Sequence, residues 1–215
     1  IIVIRHPHSG SPNFLARHLS SSVINAGDGS HAHPSQALLD LYTIQSHFGD
    51  IKNRKVVIVG DILYSRVARS NLWGLTKMGA EVVLCSPPTL IPPDFIKGFP
   101  KNHPFASVSI KHNLSEAVDG ADVIMALRLQ AERQGKGRLP SLREYSNLYG
   151  INAKTLKLAN KDVLIMHPGP MNEGVEIDTE IAHGPHSVIQ EQVTNGVAVR
   201  MALLYAVASA NGGNK

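Results

Sequence analysis

Cysteine is almost missing from this chain: Cys85 is the only one in 215 residues. That excludes an internal disulfide and fits a reducing, cytoplasmic compartment. No apolar run approaches the roughly 20 residues of a membrane span, and no signal-peptide pattern is visible. Charge is scarce as well. Charged residues make up 18% of the chain and the net charge is +4, with lysine and arginine dispersed rather than blocked. Such a balance argues against a disordered protein and gives no track for a nucleic-acid backbone or membrane surface, so small anionic ligands explain the cations better. Four catalytic signatures are also missing: HExxH, CxxC, GxGxxG and GxSxG. Zinc hydrolysis, thiol redox chemistry, dinucleotide chemistry and an α/β-hydrolase nucleophile all lose their usual marks.

What is there is α/β alternation. At 43% hydrophobic, the chain can bury one large core or two modest ones. Short runs rich in Val and Ile, at Ile1–Ile4, Val23–Asn25, Lys55–Gly60, Glu81–Cys85, Ala106–Ile110, Ala121–Ala126 and Val163–Met166, are continuously apolar. Strands covered on both faces read this way. Helices lie between them. Ser11-Pro12 and Pro34 mark helix starts with proline in the first turn, the second helix running to about Phe48. Another spans Ser65–Met78 and closes at Gly79; a last one, about Val188–Ala210, places Val193, Val197, Met201, Leu204 and Ala208 on one stripe. The repeated β-α-β order predicts parallel sheets with right-handed crossovers. The polar segment Gln130–Leu139 predicts a mobile loop. Because Ile1-Ile2-Val3-Ile4 reads as the inside of a strand, an N-terminal part is expected to be absent from this chain, leaving Ile1–Ile4 without sheet neighbours.

Several constellations carry chemistry. His6-Pro7-His8 and His31-Ala32-His33 are H-x-H pairs, but neither has a third ligand in view, so no metal site is expected. The strand Val56–Val59 enters the turn Gly60-Asp61, where a dinucleotide fingerprint would sit; the turn lacks its glycines, and the next strand ends Leu84-Cys85-Ser86 without a ribose-binding acid. Ser65 and Arg66 begin a helix there instead. Backbone N–H groups and a guanidinium at such a place suit an anion. Arg128 and Gln130 follow the strand ending at Ala126, and His167-Pro168-Gly169-Pro170 follows the one ending at Met166. Ligands of open α/β sheets bind at these carboxyl ends. Gly169–Pro170 is a candidate cis bond. Arg, His, Gln and backbone carbonyls together suit polarising an anionic, carbonyl-bearing substrate; no protein nucleophile is evident.

Taken in order, Arg5-His6-Pro7, Asn25-Ala26-Gly27-Asp28-Gly29, His33-Pro34-Ser35-Gln36-Ala37-Leu38-Leu39-Asp40, Gly60-Asp61 with Ser65-Arg66, Arg128-Leu129-Gln130-Ala131-Glu132-Arg133 and His167-Pro168-Gly169-Pro170 resemble the aspartate carbamoyltransferase catalytic chain. The likeness runs through essentially all 215 residues. Ornithine carbamoyltransferases share the architecture, but their Ser-Met-Gly loop and His-Cys-Leu-Pro run do not occur here.

The resemblance implies two parallel-sheet α/β domains and carbamoyl transfer from carbamoyl phosphate to L-aspartate in pyrimidine biosynthesis, with no cofactor. It implies that Arg5 and His33 are catalytic and that Gln36 helps bind the carbamoyl end. Pro168, Gly169 and Pro170 would receive its NH2 group, with a cis bond at the second proline. Arg66, Arg128 and Gln130 would clamp the aspartate carboxylates. His31 is left without a role and is expected to be solvated. By the same likeness, residues 35–184 form the aspartate-binding domain. Residues 1–34 with 185–215 form part of the carbamoyl-phosphate-binding domain. A homotrimer with shared sites is implied, with regulatory or dihydroorotase partners an open possibility.

The family's Ser-Thr-Arg-Thr phosphate motif, and the Ser and Lys that reach a neighbouring site, are not among these 215 residues. The chain alone is therefore expected to be inactive. Two readings from other classes stay open at this point: a non-catalytic homologue that keeps only the aspartate domain, and a NAD-dependent oxidoreductase.

Overall fold

In a computed structural model, residues 1–130 and 141–212 are described, with side chains to residue 210. The Val- and Ile-rich runs become β3 (Lys55–Val59), β4 (Glu81–Cys85) and β6 (Val123–Ala126). With β5 (Ser109–Lys111) and β7 (Leu164–Met166) they form an all-parallel sheet in the order β5-β4-β3-β6-β7. Continuous apolarity has the expected cause, since both faces are covered. Val57, Val83 and Ile124 face a cluster with Leu114, Ala117 and Tyr145. Their neighbours Val56, Val82 and Val123 face Ile44, Leu72 and Leu75. Val56 to Val59 are at most 1% exposed, and each such burial is worth about 1.5–3 kcal/mol.

Helices α2 (Pro34–Phe48) and α3 (Arg66–Lys77) pack on one face. The short helices α5 (Leu114–Val118), α6 (Leu142–Tyr149) and α7 (Ala153–Leu156) pack on the other. Helix α4 (Pro93–Ile96) follows β4, and α8 (Thr179–Ala182) precedes α9 (Ile189–Gly212). A separate pair, β1 (Ile2–His6) and β2 (Val23–Asp28), is parallel and joined by α1 (Ser11–His18).

Three expectations need correction. Ile1–Ile4 does not lack a sheet neighbour: β1 pairs with β2 along Ile2↔Val23 to Ile4↔Asn25. It does keep one face open, with Val3 58% exposed. The strand expected at Ala106–Ile110 begins only at Ser109. The N–H groups of Ala106 and Val108 close turns onto the His103 (3.0 Å) and Phe105 (2.9 Å) carbonyls and so cannot join the ladder. The Phe105 ring packs with its centroid 4.7 Å from that of Trp73 and 5.4 Å from that of Phe99.

The last helix forms as predicted, but its stripe is not a core face. Val193, Val197, Met201 and Leu204 are 41–65% exposed, and α9 meets α2 along another face through Glu191 and Asn195. By length and composition Ile189–Ala210 could cross a membrane, and only 6% of its most apolar window is buried. The run includes Thr194, Asn195 and Arg200, and these polar interruptions hid it from a search for unbroken apolar sequence. Of the segment expected to be a mobile loop, only Gln130 lies within the described residues.

Candidate active site

The strand order reverses between β3 and β6, which opens a crevice beyond their carboxyl ends. Both strands feed residues into it. After β3, Gly60 takes φ +126°, and a Cβ there would lie 3.0 Å from the Leu127 carbonyl oxygen of the neighbouring loop. Asp61, wholly buried, ties the two loops together: Oδ1 accepts from the Tyr64 N–H (3.0 Å) and Oδ2 from the Gln130 N–H (3.4 Å). Ser65 then caps α3 by accepting from the Ala68 N–H (3.1 Å), which sets Arg66 in the first turn.

Arg66 is 7% exposed and reaches across to the loop after β2, where Nη1 lies 3.5 Å from the Gly29 carbonyl oxygen. Room for it comes from Gly27, at φ +116°.

His33 is the N-cap of α2, yet its side chain does not cap. Pro34 at the first helical position removes one donor that would need it. The His33 backbone N–H is held by Ser70 Oγ at 2.8 Å, and the ring is left to face the crevice. Burial lowers its pKa to about 4, with the charges of Arg66, Arg5 and Arg200 acting in the same direction. At neutral pH the ring is therefore uncharged. Ser35 Oγ lies 3.4 Å from Nδ1. With the hydroxyl as donor, the ring proton is assigned to Nε2.

After β7, the Gly169–Pro170 bond is cis, and His167 Nδ1 accepts from the Gly169 N–H at 2.9 Å. Behind it, His167 Nε2 lies 3.4 Å from Glu176 Oε1, with both side chains at most 1% exposed.

All nine residues named from the sequence line one cavity of about 350 Å³: Arg5, His33, Gln36, Arg66, Arg128, Gln130, Pro168, Gly169 and Pro170. Two departures from the reading concern residues around them. His31 is not simply solvated, because its Nδ1 lies 2.9 Å from Oδ2 of the buried Asp28. It braces the loop from outside the cavity. Arg200 was missed. It lies on α9 and lines the same cavity, folding back over Gly196, where an added Cβ would meet Nη1 at 2.5 Å. A glycine one turn before an arginine on one helix face was the available signal. Among the described residues no group of three or more His, Cys, Asp or Glu could hold a metal ion.

An open parallel sheet with four arginines converging on its switch point defines a class: an α/β protein that takes a small anionic ligand between strand ends. Known proteins narrow the class. Residues 1–46 match the aspartate/ornithine carbamoyltransferase carbamoyl-P binding domain, and residues 52–207 match the Asp/Orn binding domain of the same family. The chain belongs to the aspartate/ornithine carbamoyltransferase family.

Its curated relatives include the aspartate carbamoyltransferase catalytic subunit of Desulfitobacterium hafniense, 60% identical over 95% of this chain and 63% of that protein. That of Chloroflexus aurantiacus is 57% identical over 97% and 66%. The chain thus spans about two thirds or less of the length of these relatives. Among solved structures, ornithine carbamoyltransferase from Pyrococcus furiosus superposes with a TM-score of 0.81 at 31% identity, covering 94% of this chain and 64% of that one. Aspartate transcarbamoylase from Trypanosoma cruzi in complex with phosphate gives 0.80 at 28%, covering 94% and 67%.

Proposed function

We propose that this chain carries out carbamoyl transfer from carbamoyl phosphate to the amine of L-aspartate, giving N-carbamoyl-L-aspartate and phosphate. The observation that carries the reading is the convergence of the nine residues that the family resemblance implies, from five stretches of chain, on one cavity. Its relatives at 56–60% identity are named for aspartate, and the ornithine-type Ser-Met-Gly and His-Cys-Leu-Pro runs are missing from the sequence.

The amine nitrogen attacks the carbamoyl carbon, negative charge builds on the carbonyl oxygen, and the carbon–oxygen bond to phosphate breaks. Neutral His33, donating from Nε2, and cationic Arg5 stabilise that oxygen, each such donor being worth about 3–4 kcal/mol. Arg66 and Arg128, with Gln130, hold the two aspartate carboxylates. Two polyanions held side by side gain proximity worth up to about 7–11 kcal/mol of the barrier. Among the described residues that line the cavity none is a carboxylate, and the departing phosphate is proposed to take the amine proton. Replacement of each cavity residue in turn, with one loss removing a limb of the pH–rate profile, would overturn that step.

Residues 35–184 are read as the aspartate-binding domain, and 1–34 with 185–215 as part of the carbamoyl-phosphate domain of a cytoplasmic homotrimer serving pyrimidine biosynthesis. The match of residues 1–46 to the carbamoyl-P binding domain supports placing the N-terminal part there, although the two matches divide the chain between residues 46 and 52 and carry the second domain to residue 207. The test is a ureido-product assay on the chain as its gene encodes it, with L-aspartate and L-ornithine in parallel. Turnover on aspartate exceeding that on ornithine by more than about 100-fold is expected; a site built to pair a substrate's charged groups discriminates at least that well. The 215-residue segment alone is expected to be inactive, and normal turnover by it would refute the domain assignment.

A further inference from the structure

Behind the cavity lies a carboxylate that the proposed chemistry does not use. Asp40, on α2, is 0% exposed. Its Oδ1 accepts from Gln36 Nε2 (3.0 Å) and from Gln192 Nε2 of α9 (2.8 Å); its Oδ2 accepts from Asn71 Nδ2 of α3 (2.7 Å). Gln192 passes the link on, because its Oε1 accepts from the His167 N–H at 2.9 Å. A second cavity of about 200 Å³, lined by Gln36, His167, Gly169, Gln192 and Arg200 among others, lies at this junction.

Three amides around one ionised carboxylate differ from three amides around an amide. An ionised carboxylate only accepts, so each amide must turn its NH2 toward it. Gln36 then presents its carbonyl oxygen, with one remaining N–H, to the cavity it lines, and Gln192 presents its own oxygen to the His167 N–H. We propose that Asp40 is a positioning residue that sets the polarity of the site, orienting the Gln36 amide toward the substrate and, through Gln192, fixing the His167–Pro170 loop. It rests on the carbamoyl-transfer reading for its effect on turnover, but not for its effect on the amides.

Desolvation raises the pKa of Asp40 to about 6, against the pull of its three amide donors and of Arg200. Its surroundings are otherwise neutral in charge: Gln36 from α2, Asn71 from α3, Gln192 from α9. Arg200 on α9 is the cation that faces it, and His167 is the titratable residue one bond further on. Protonation turns one oxygen into a donor and releases one amide.

The test uses nitrogen-15 NMR together with kinetics on the enzyme, comparing Asp40→Leu and Asp40→Asn. In the wild type, the side-chain NH2 signals of Gln36, Asn71 and Gln192 are expected to move together with one apparent pKa near 6. Asp40→Asn, which keeps an acceptor oxygen for Gln36 and Gln192, is expected to abolish that shared titration and to lose about 3-fold in turnover. Asp40→Leu is expected to lose about 30-fold, the scale of a lost charge-assisted hydrogen bond. Its KM for carbamoyl phosphate should rise more than its KM for aspartate. Amide signals of Gln36 and Gln192 that are the same in the wild type and in Asp40→Leu would overturn the proposal. So would equal kinetic losses in the two variants that follow only their thermal stability. Shared titration in a wild type that does not carbamoylate aspartate would sink the functional reading and leave the hold of Asp40 on its amides in place.

Discussion

The guanidinium of Arg66 occupies the space in which Gly27 would carry a side chain: a Cβ on Gly27 would lie 2.6 Å from Arg66 Cζ. One cation of the cavity, carried by helix α3, is therefore seated by an absence of atoms on strand β2. Gly27→Ala should push Arg66 out of place and also strain a backbone held at φ +116°. The expected result is a rise of about 10-fold or more in KM for aspartate, with KM for carbamoyl phosphate much less affected. Steady-state kinetics with each substrate varied in turn will check it.

His33 and His31 differ in role although they are one residue apart. His33→Ala should lower kcat by about 100- to 1,000-fold, as loss of a donor to a developing oxyanion does. His31→Ala should leave kcat near its original value and cost some stability, because Asp28 loses a partner. Single-turnover rates and melting temperatures on the two variants will separate the roles.

Acid stability should carry two opposing contributions. The folded-state pKa of His33 is lowered from 6.5 to about 4, so between these values the unfolded chain binds the extra proton. Stability from this group is present above pH 6.5 and is lost as pH falls toward 4. Asp40 is raised from 3.8 to about 6, so in that window the folded chain binds the extra proton, and its contribution falls as pH rises from 3.8 to 6. Denaturant melts from pH 4 to 7 are expected to show a steeper acid loss in Asp40→Asn and a shallower one in His33→Gln.

Asp61 joins the loops after β3 and β6 with its two oxygens. An amide can match only one of those two acceptor roles. Asp61→Asn should raise KM for aspartate about 5- to 50-fold, given the usual cost of a lost bond to a buried charged group, because Gln130 and Arg128 shift against Arg66. A crystal structure of the variant in which the two loops keep their spacing would count against this.

The exposed stripe of α9 makes a stability prediction of the opposite kind. Val197 and Met201 are 58% and 65% exposed, so Val197→Glu and Met201→Glu should change the unfolding free energy of this chain by no more than about 0.5 kcal/mol. They should sharply reduce its self-association. Light scattering beside a denaturant melt tests both halves.

The sheet core could be read from sequence because each inner strand is a contiguous apolar run between turn residues, a local signal. The same holds for α2, whose start is written in His33-Pro34. β5 was placed too early because the Ala106 and Val108 N–H groups go to the His103 and Phe105 carbonyls in turns instead of to β4, a choice no local pattern records. The nine cavity residues were legible because each lies near or just beyond the carboxyl end of a strand or at a helix start and matched a spaced family motif. Arg200 and Asp40 were not. Arg200 sits mid-helix and reaches the cavity only over Gly196. Asp40 bonds to Asn71 and Gln192, 31 and 152 residues away.

That last separation bears on how the molecule comes to exist. Every strand of the main sheet is complete by Met166, but Gln192 and Arg200 lie beyond it. A growing chain can form every strand of that sheet before those residues appear, although its core closes only with Val188 and Ile189, and for that interval its cavity is unfinished. The same interval is re-entered whenever α9 peels away. Detachment of one C-terminal helix would free the His167 backbone and take Gln192 from Asp40 at once, and would remove Arg200 from the cavity, while leaving the sheet intact, so binding should be lost in a milder disturbance than the one that melts the core.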